Sequence, residues 1–376
     1  DRIDTLITMP RGNGLGLALH PDFPVVPQVF AVFDTSVYYG GGSWCEVIRF
    51  DYDALADTLG NDTVILSYQH YGEHAGGRLL FDTTGALLLT TADYWPENDT
   101  LGHRMGKVLR ILADGSVPPD NPTSDHTWSR GHRNPQGMAM LPNGSVVISE
   151  HGQAGNNEIN LVQADLNYGW PVFDGHDCTF LYPDSCTSST FISHPPLTAY
   201  PEPPSGTEFY TSASIPEFTN KLITCILWYT GIKVFTMNAS LDSVVAEVHH
   251  AGGAWADLVR NRDLAIHPDG SIFMITNDRF DPRIRRLYRD LPTGTQGPQH
   301  ASVRLWPNPA SEQVQLIAHA PIERIRVTDL RGSSQEIMIQ FAGTRAQLDV
   351  GTLVPGTYVV QTFTSHSVGT GRLIVQ

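Results

Sequence analysis

Apolar residues along this chain come in short runs with a recurring sequel. A Gly-containing turn leads into an apolar run, then polar residues, then a second apolar strand after a loop. Three segments share the pattern: TTGALLLTTAD (Thr83–Asp93), PNGSVVISEHG (Pro142–Gly152) and PDGSIFMITND (Pro268–Asp278). Their second strands are KVLRI from Lys107, EINLV from Glu158 and RIRRLY from Arg283. Two weaker copies are HPDFPVVPQVFAVFD with EVIRF from Glu46, and FTNKLITCILW with IKVFTM from Ile232. A period of about sixty residues exceeds the usual propeller blade, so the loops carry insertions. Strand pairs repeated this way predict an all-β chain folded as a β-propeller over residues 1–290; a sandwich of the same strands would not explain the period. Five copies are visible. The first starts at Gly14 with little chain before it, which leaves a further blade truncated or built from pieces of both ends. Asp93, Glu150, His151, Asn277 and Asp278 end what are read as inner strands and are expected to face one end of the central channel.

Residues 291–301, LPTGTQGPQHA, lack apolar periodicity and read as a linker. Beyond it, WPNPASEQVQLIA, IERIRVTDLRG and GTYVVQTF alternate apolar and polar positions, predicting a small antiparallel β-sandwich over residues 302–376. That tail has no cluster of His, Cys or paired carboxylates, so the chemistry is expected in the first domain.

Composition agrees with a turn-rich β-protein: 34 Gly and 26 Pro among 376 residues, with only 17% charged. A net charge of −15 argues against nucleic acid or an anionic membrane as partner. No apolar run is long enough to span a bilayer. The opening DRIDTLITMP has no signal-peptide pattern and reads as the middle of something longer. Cys178 and Cys186 bracket a short loop that a disulfide could close, whereas Cys45 and Cys225 sit in apolar strands as buried thiols. No Cys/His spacing suggests zinc, and without a CxxCH no haem is attached.

From Arg130 to Val172 polar groups crowd the ends of short strands, and here a resemblance enters. GLGLALHPDF (Gly14–Phe23), EHAGGRLLF (Glu73–Phe81), GKVLRILADGSVPPDNP (Gly106–Pro122), GHRNPQGMAM and SEHGQAGNNEINLV with NYGWPV are similar to the soluble quinoprotein glucose dehydrogenase and aldose sugar dehydrogenase family. The resemblance implies a six-bladed propeller, its first blade incomplete at the N-terminus here. It also implies a site for pyrroloquinoline quinone (PQQ) and calcium, a sugar substrate, and a separate electron acceptor. WPNPAS, IRVTDLRG, LVPGTYVV and the terminal GRLIV resemble the sorting domain of type IX secretion substrates. That implies dealings with the secretion machinery and a secreted or cell-surface location, reached through the outer membrane.

The same resemblance distributes roles. Sugar oxidation needs a base for the hydroxyl proton while hydride leaves carbon, and His74 stands at the base position. Glu73 beside it is a candidate to orient it. Arg133 and Asn134 match the pair beside the quinone, where a cation would stabilise charge on the reduced oxygen. Arg260 and Arg262 match two arginines for PQQ carboxylates, which a guanidinium can grip bidentately. Alternate positions in an extended segment would point both to one ligand; an ion pair with Asp257 or Asp263 is the structural alternative. Thr276 is a hydroxyl contact, and His151 stands where some relatives carry Gln. The Gly152–Gln153 corner matches the carbonyls that hold the calcium on PQQ, and Glu158 with the Tyr168 carbonyl matches a second, structural calcium. Departures also appear: Asn157 replaces an Asp, PRGNG stands where a Gln contact is expected, and a fifth-blade Lys is missing. Trp228 or Tyr229 falls near that Lys position, with Lys233 offset. The leading expectation is a PQQ- and calcium-dependent sugar dehydrogenase. The alternative is a non-catalytic surface propeller that has lost PQQ and binds a glycan or peptide. A calcium-dependent lactonase is disfavoured, since it needs more channel carboxylates.

Overall fold

The computed structural model describes residues 5–8, 12–35, 43–70, 74–93, 103–153, 155–228, 231–252, 260–276, 283–289, 299–318, 320–329, 333–364 and 367–376. The chain divides into two compact units, Asp1–Arg289 and Asp290–Gln376.

In the first unit the described strands form five meandering sheets. Sheet one is β1 (Asn13–Leu19), β2 (Gln28–Asp34), β3 (Ser43–Asp53) and β4 (Thr58–His70). Sheet two is β5 (Gly76–Phe81), β6 (Leu87–Thr91), β7 (Lys107–Ile111) and β8 (Thr127–Arg130). Sheet three takes β9 (Pro135–Met140), β10 (Val146–Glu150) and β11 (Asn157–Val162). Before its fourth strand the chain makes a small hairpin, β12 (Phe173–Asp174) and β13 (Asp177–Cys178), and one helical turn, α1 (Pro183–Cys186). A Cys178–Cys186 disulfide joins these two, while Cys45 and Cys225 are free and buried. β14 (Thr198–Tyr200) then completes sheet three. Sheet four is β15 (Pro204–Tyr210), β16 (Lys221–Ile226), β17 (Ile232–Met237) and β18 (Val244–His250); sheet five is β19 (Asn261–Ile266), β20 (Ile272–Thr276) and β21 (Ile284–Leu287).

The strands legible as repeats are middle strands of their sheets, except RIRRLY at the edge of sheet five, and the inner ones are others; Asn277 and Asp278 lie outside the described residues. β1 packs on β5, β5 on β9, β9 on β15 and β15 on β19, so these five line the axis. The apolar runs belong to β6 and β10, which are buried along their whole length between neighbouring sheets. Inner strands such as GGRLLF and NRDLAI mix small and polar residues with apolar ones, because backbones crowd at the axis while Leu79, Phe81 and Leu264 still pack into the clusters between sheets. A Cβ on Gly16 would collide with the Gly77 carbonyl of β5, and one on Gly137 with the Ser205 carbonyl of β15. Apolar clusters fill the space between successive sheets, for example Leu88, Val108, Met138 and Ile148 between sheets two and three.

The second unit has two four-stranded sheets, built from β22 (Gln299–Ser302), β23 (Arg304–Trp306), β24 (Gln313–Ile317), β25 (Arg324–Asp329), β26 (Ile339–Ala342), β27 (Arg345–Asp349), β28 (Gly356–Phe363) and β29 (Ser367–Val375). Their orders are β22-β29-β28-β25 and β23-β24-β27-β26. Both sheets contribute to one cluster, with Val314, Leu316 and Leu348 from one and Val327, Val360 and Leu373 from the other. Two expectations are corrected. Residues 299–301, read as linker, belong to β22, an edge strand held by backbone bonds that needs no apolar alternation. β22 also pairs parallel to β29, so the unit is not purely antiparallel.

Candidate active site

His74 stands two residues before Gly76, the first of the two positive-φ glycines, Gly76 and Gly77, that open β5. Asp93 follows the end of β6 by two residues. The two meet with His74 Nδ1 at 2.7 Å from Asp93 Oδ1. The other Asp93 oxygen accepts the Trp170 indole N–H at 2.9 Å, and the Asp93 amide donates to the Arg133 carbonyl at 2.6 Å. A buried carboxylate fixed from two sides accepts a hydrogen bond from Nδ1–H of the imidazole, which leaves Nε2 as the basic nitrogen. The His74 side chain keeps 31% exposure, on the edge of a cavity. Glu73, the sequence candidate for orienting His74, lies outside the described residues; among the described residues Asp93 holds the ring.

This cavity, about 820 Å³, lies at one end of the axis. Of the expected site residues, His74, Asn134, His151, Arg260, Arg262 and Thr276 line it. Arg260 reaches it by a different route from plain alternation. Its φ is 52°, and the register with β20 shifts between Asn261 and Asp263. Asp263 is engaged by Arg78, at 2.5 Å, and Asp257 lies outside the described residues. Burial, then the charges of Arg78 and Arg260, pull the Arg262 guanidinium down to about 10, so it remains cationic at neutral pH. His151 places Nε2 at 2.5 Å from the Pro204 carbonyl, and burial lowers its pKa to about 4, so the ring is a neutral Nε2–H tautomer. Asn134 accepts from the Gln136 amide at 2.9 Å, and Thr276 Oγ1 accepts the Arg283 amide at 2.9 Å.

Arg133 turns elsewhere. Its Nη1 donates to the carbonyls of His151 at 3.0 Å and Gly152 at 2.9 Å, and its guanidinium lies 5.2 Å over the Trp170 ring. Its Nε is buried without a hydrogen-bond partner. Two carbonyls that converge on one cationic nitrogen already form a cation seat. Behind it is a small void of about 10 Å³ lined by Arg133, Glu150, His151, Gly152, Glu158 and Asp174 among others, with all three carboxylates buried. Burial first, and the Glu150 charge second, push the Glu158 carboxyl well above the usual range. Glu158 accepts from the Gly175 amide at 2.6 Å and from Asn160 at 2.7 Å. The Gln153 amide donates to Asp174 at 2.8 Å. Asn157 accepts the Gly152 amide at 3.3 Å and donates to the Tyr200 carbonyl at 3.1 Å, so it braces this corner. Tyr168 stacks on His132 at 4.7 Å and gives its hydroxyl proton to the Leu161 carbonyl; it does not line the void.

Lys233 is drawn into Glu202 at 2.6 Å and Glu247 at 2.9 Å and does not line the cavity. Trp228 does, at 75% exposure, while Tyr229 is outside the described residues. Asp34, His70 and Gln136 also line it and were not anticipated. Asp34 had a signal in the sequence: it closes the first copy of the repeat, as Glu150 and Asp93 close later ones.

A family model described as glucose / sorbosone dehydrogenase matches residues 3–286, and one described as a secretion system C-terminal sorting domain matches residues 304–376. Aldose sugar dehydrogenase YliI of Escherichia coli is 32% identical over 220 residues, 55% of this chain and 58% of that protein. Quinoprotein glucose dehydrogenase B of Acinetobacter calcoaceticus is 32% identical over 198 residues, 44% and 41% of the two chains. The chain thus spans about half the length of these curated relatives. A solved structure named glucose dehydrogenase is 29% identical, with a TM-score of 0.66 over 75% of this chain and 83% of that one. The sorting domain marks the chain for export by type IX secretion, and no helix among the described residues is long and apolar enough to cross a membrane.

Proposed function

The chain belongs to the glucose and sorbosone dehydrogenase family, and on that premise we propose that it is an exported oxidoreductase, dependent on PQQ and calcium, that oxidises a hydroxyl of an aldose or related sugar. The observation that carries the reading is the Trp170–Asp93–His74 chain of hydrogen bonds, ending on an imidazole at the edge of a large cavity.

His74 Nε2 accepts the hydroxyl proton, and Asp93 holds the ring and stabilises the imidazolium that results. PQQ, when bound, supplies the two-electron acceptor for the hydride leaving the sugar carbon. Its three carboxylates suit Arg260 and Arg262, whose crowding beside Arg78 leaves a cationic wall that an anionic ligand would relieve. Asn134 and Thr276 offer amide and hydroxyl contacts. Arg133 borders the small void and not the large cavity, so its guanidinium would have to leave the His151 and Gly152 carbonyls to meet an oxygen that gains charge. The carbonyl corner at Gly152 suits calcium, with Arg133 now on those oxygens and having to share them; Gln153 is the neighbouring carbonyl of the same corner. Glu158, with Glu150 and Asp174, suits a second calcium, since a divalent ion would remove the cost of burying these charges together. The Tyr168 carbonyl, which the resemblance gives as a further ligand, does not border this void. Electrons then leave to a separate acceptor.

The same reading takes the five sheets as five of six blades. The exposed Ile284 (61%) on β21, the edge strand of sheet five, supports a further sheet packing there. The second unit is read as a β-sandwich.

One observation favours a second reading. Lys233 is committed to two glutamates, so that cation is missing from the cavity, as in a propeller that has given up the quinone and binds a glycan or peptide. Titrating the full chain with PQQ and calcium, then following dye reduction with a panel of aldoses, separates the two. Saturable binding with sugar-dependent turnover is expected. No PQQ binding at micromolar concentration would sink the dehydrogenase and leave the binding protein.

A further inference from the structure

We infer that Asp34, Cys45 and His70 form a site for a thiophilic divalent cation such as Zn²⁺, in the wall of the large cavity. The register of sheet one brings them together. Asp34 lies directly opposite Cys45 across β2 and β3, and Cys45 opposite Tyr68 across β3 and β4. His70, two residues beyond Tyr68, points to the same face. One carboxylate oxygen, the sulfur and one imidazole nitrogen all lie within 4.8 Å of one another. Asp34 Oδ1 and His70 Nε2 are 3.1 Å apart, close to the roughly 3.3 Å that two such donors keep around a tetrahedral zinc.

The donor set decides the class of ion. Calcium and magnesium take oxygen almost exclusively, whereas one sulfur, one nitrogen and one oxygen suit zinc and its neighbours. The setting decides the type of site. Cys45 is fully buried and unoxidised, while Asp34 and His70 line the cavity. Three protein ligands would therefore hold the ion, with its fourth position turned to the cavity, the arrangement of an open rather than a purely structural zinc site. The bland alternative is a His–Asp hydrogen bond beside a core thiol. It makes no use of sulfur, and sulfur is what the experiment reads.

The full, tag-free chain is stripped of metal and titrated with Co²⁺, without quinone or calcium, so the outcome is independent of the dehydrogenase reading. We expect one Co²⁺ per chain with a thiolate-to-cobalt charge-transfer band that Zn²⁺ displaces. The band should vanish in Cys45→Ser and stay in Cys225→Ala, the other free thiol, which lies in sheet four. Asp34→Asn and His70→Gln should each weaken Co²⁺ binding roughly tenfold or more. Absence of the band, or its survival in Cys45→Ser, overturns the site. If Cys45→Ser does not fold, unchanged affinity in both Asp34→Asn and His70→Gln overturns it equally.

Discussion

At the scale of single residues, the behaviour of His74 depends on which of its nitrogens carries the proton, and Asp93 decides that. Asp93→Asn keeps the volume but offers an amide where a carboxylate accepted from both Nδ1 and Trp170. Turnover should fall about 10²- to 10⁴-fold with little change in quinone affinity; unchanged kcat would remove Asp93 from the mechanism. His74 was legible because it sits in a recognisable motif. Asp93 was visible only as a strand-end polar residue, since its partner is 19 positions away and reached through folding. The arginine pair was found by type, but the route of Arg260 to the cavity was not: alternation assumes extended backbone, and a left-handed residue with a bulge replaces it. Glu208 offers a pH test. Burial first, and the Asp263 charge second, raise its carboxyl from 4.5 to about 7. Between those values the folded chain holds a proton that the unfolded chain has lost, so stability falls as pH rises through that window. Glu208→Gln should therefore gain on the order of 2 kcal/mol more at pH 8 than at pH 5 by denaturant unfolding. An equal effect at both would contradict the shift.

At the scale of elements, the sequence exposes what is apolar on both faces and hides what is not. Middle strands such as β6 and β10 announce themselves, while inner strands built from Gly, Pro and charged residues do not, although those carry Asn134, Arg260 and Arg262 to or beside the axis. Polar anchoring within sheets is similarly hidden. Arg110, on β7 and 2% exposed, binds Asp82 at 2.6 Å, Asp120 at 2.7 Å and Thr84 at 2.7 Å, and lies 4.8 Å over Trp128. The KVLRI run gave only an apolar strand. Its arginine is a tie between two turns of sheet two, because Asp82 and Asp120 precede and follow the strand. Arg110→Leu leaves Asp82 half-buried and unpaired and should cost about 3 kcal/mol in urea unfolding; a loss below about 0.5 kcal/mol, the scale of an ordinary surface change, would mean the tie is decorative.

At the scale of the whole molecule, two family matches divide the chain, a dehydrogenase family over residues 3–286 and a sorting domain over residues 304–376. The number of blades was only partly legible in the sequence, because the count depends on a face where sheet five leaves apolar residues exposed. In the proposed chemistry one imidazole, positioned by one carboxylate, acts on a sugar beside a quinone held by separate residues. The most direct test is to load His74→Ala with PQQ and calcium and to measure quinone affinity and aldose turnover on the same sample. Affinity within a few-fold of the parent chain and turnover reduced at least about 10²-fold are expected. Parental turnover, or loss of quinone binding together with activity, would contradict that chemistry.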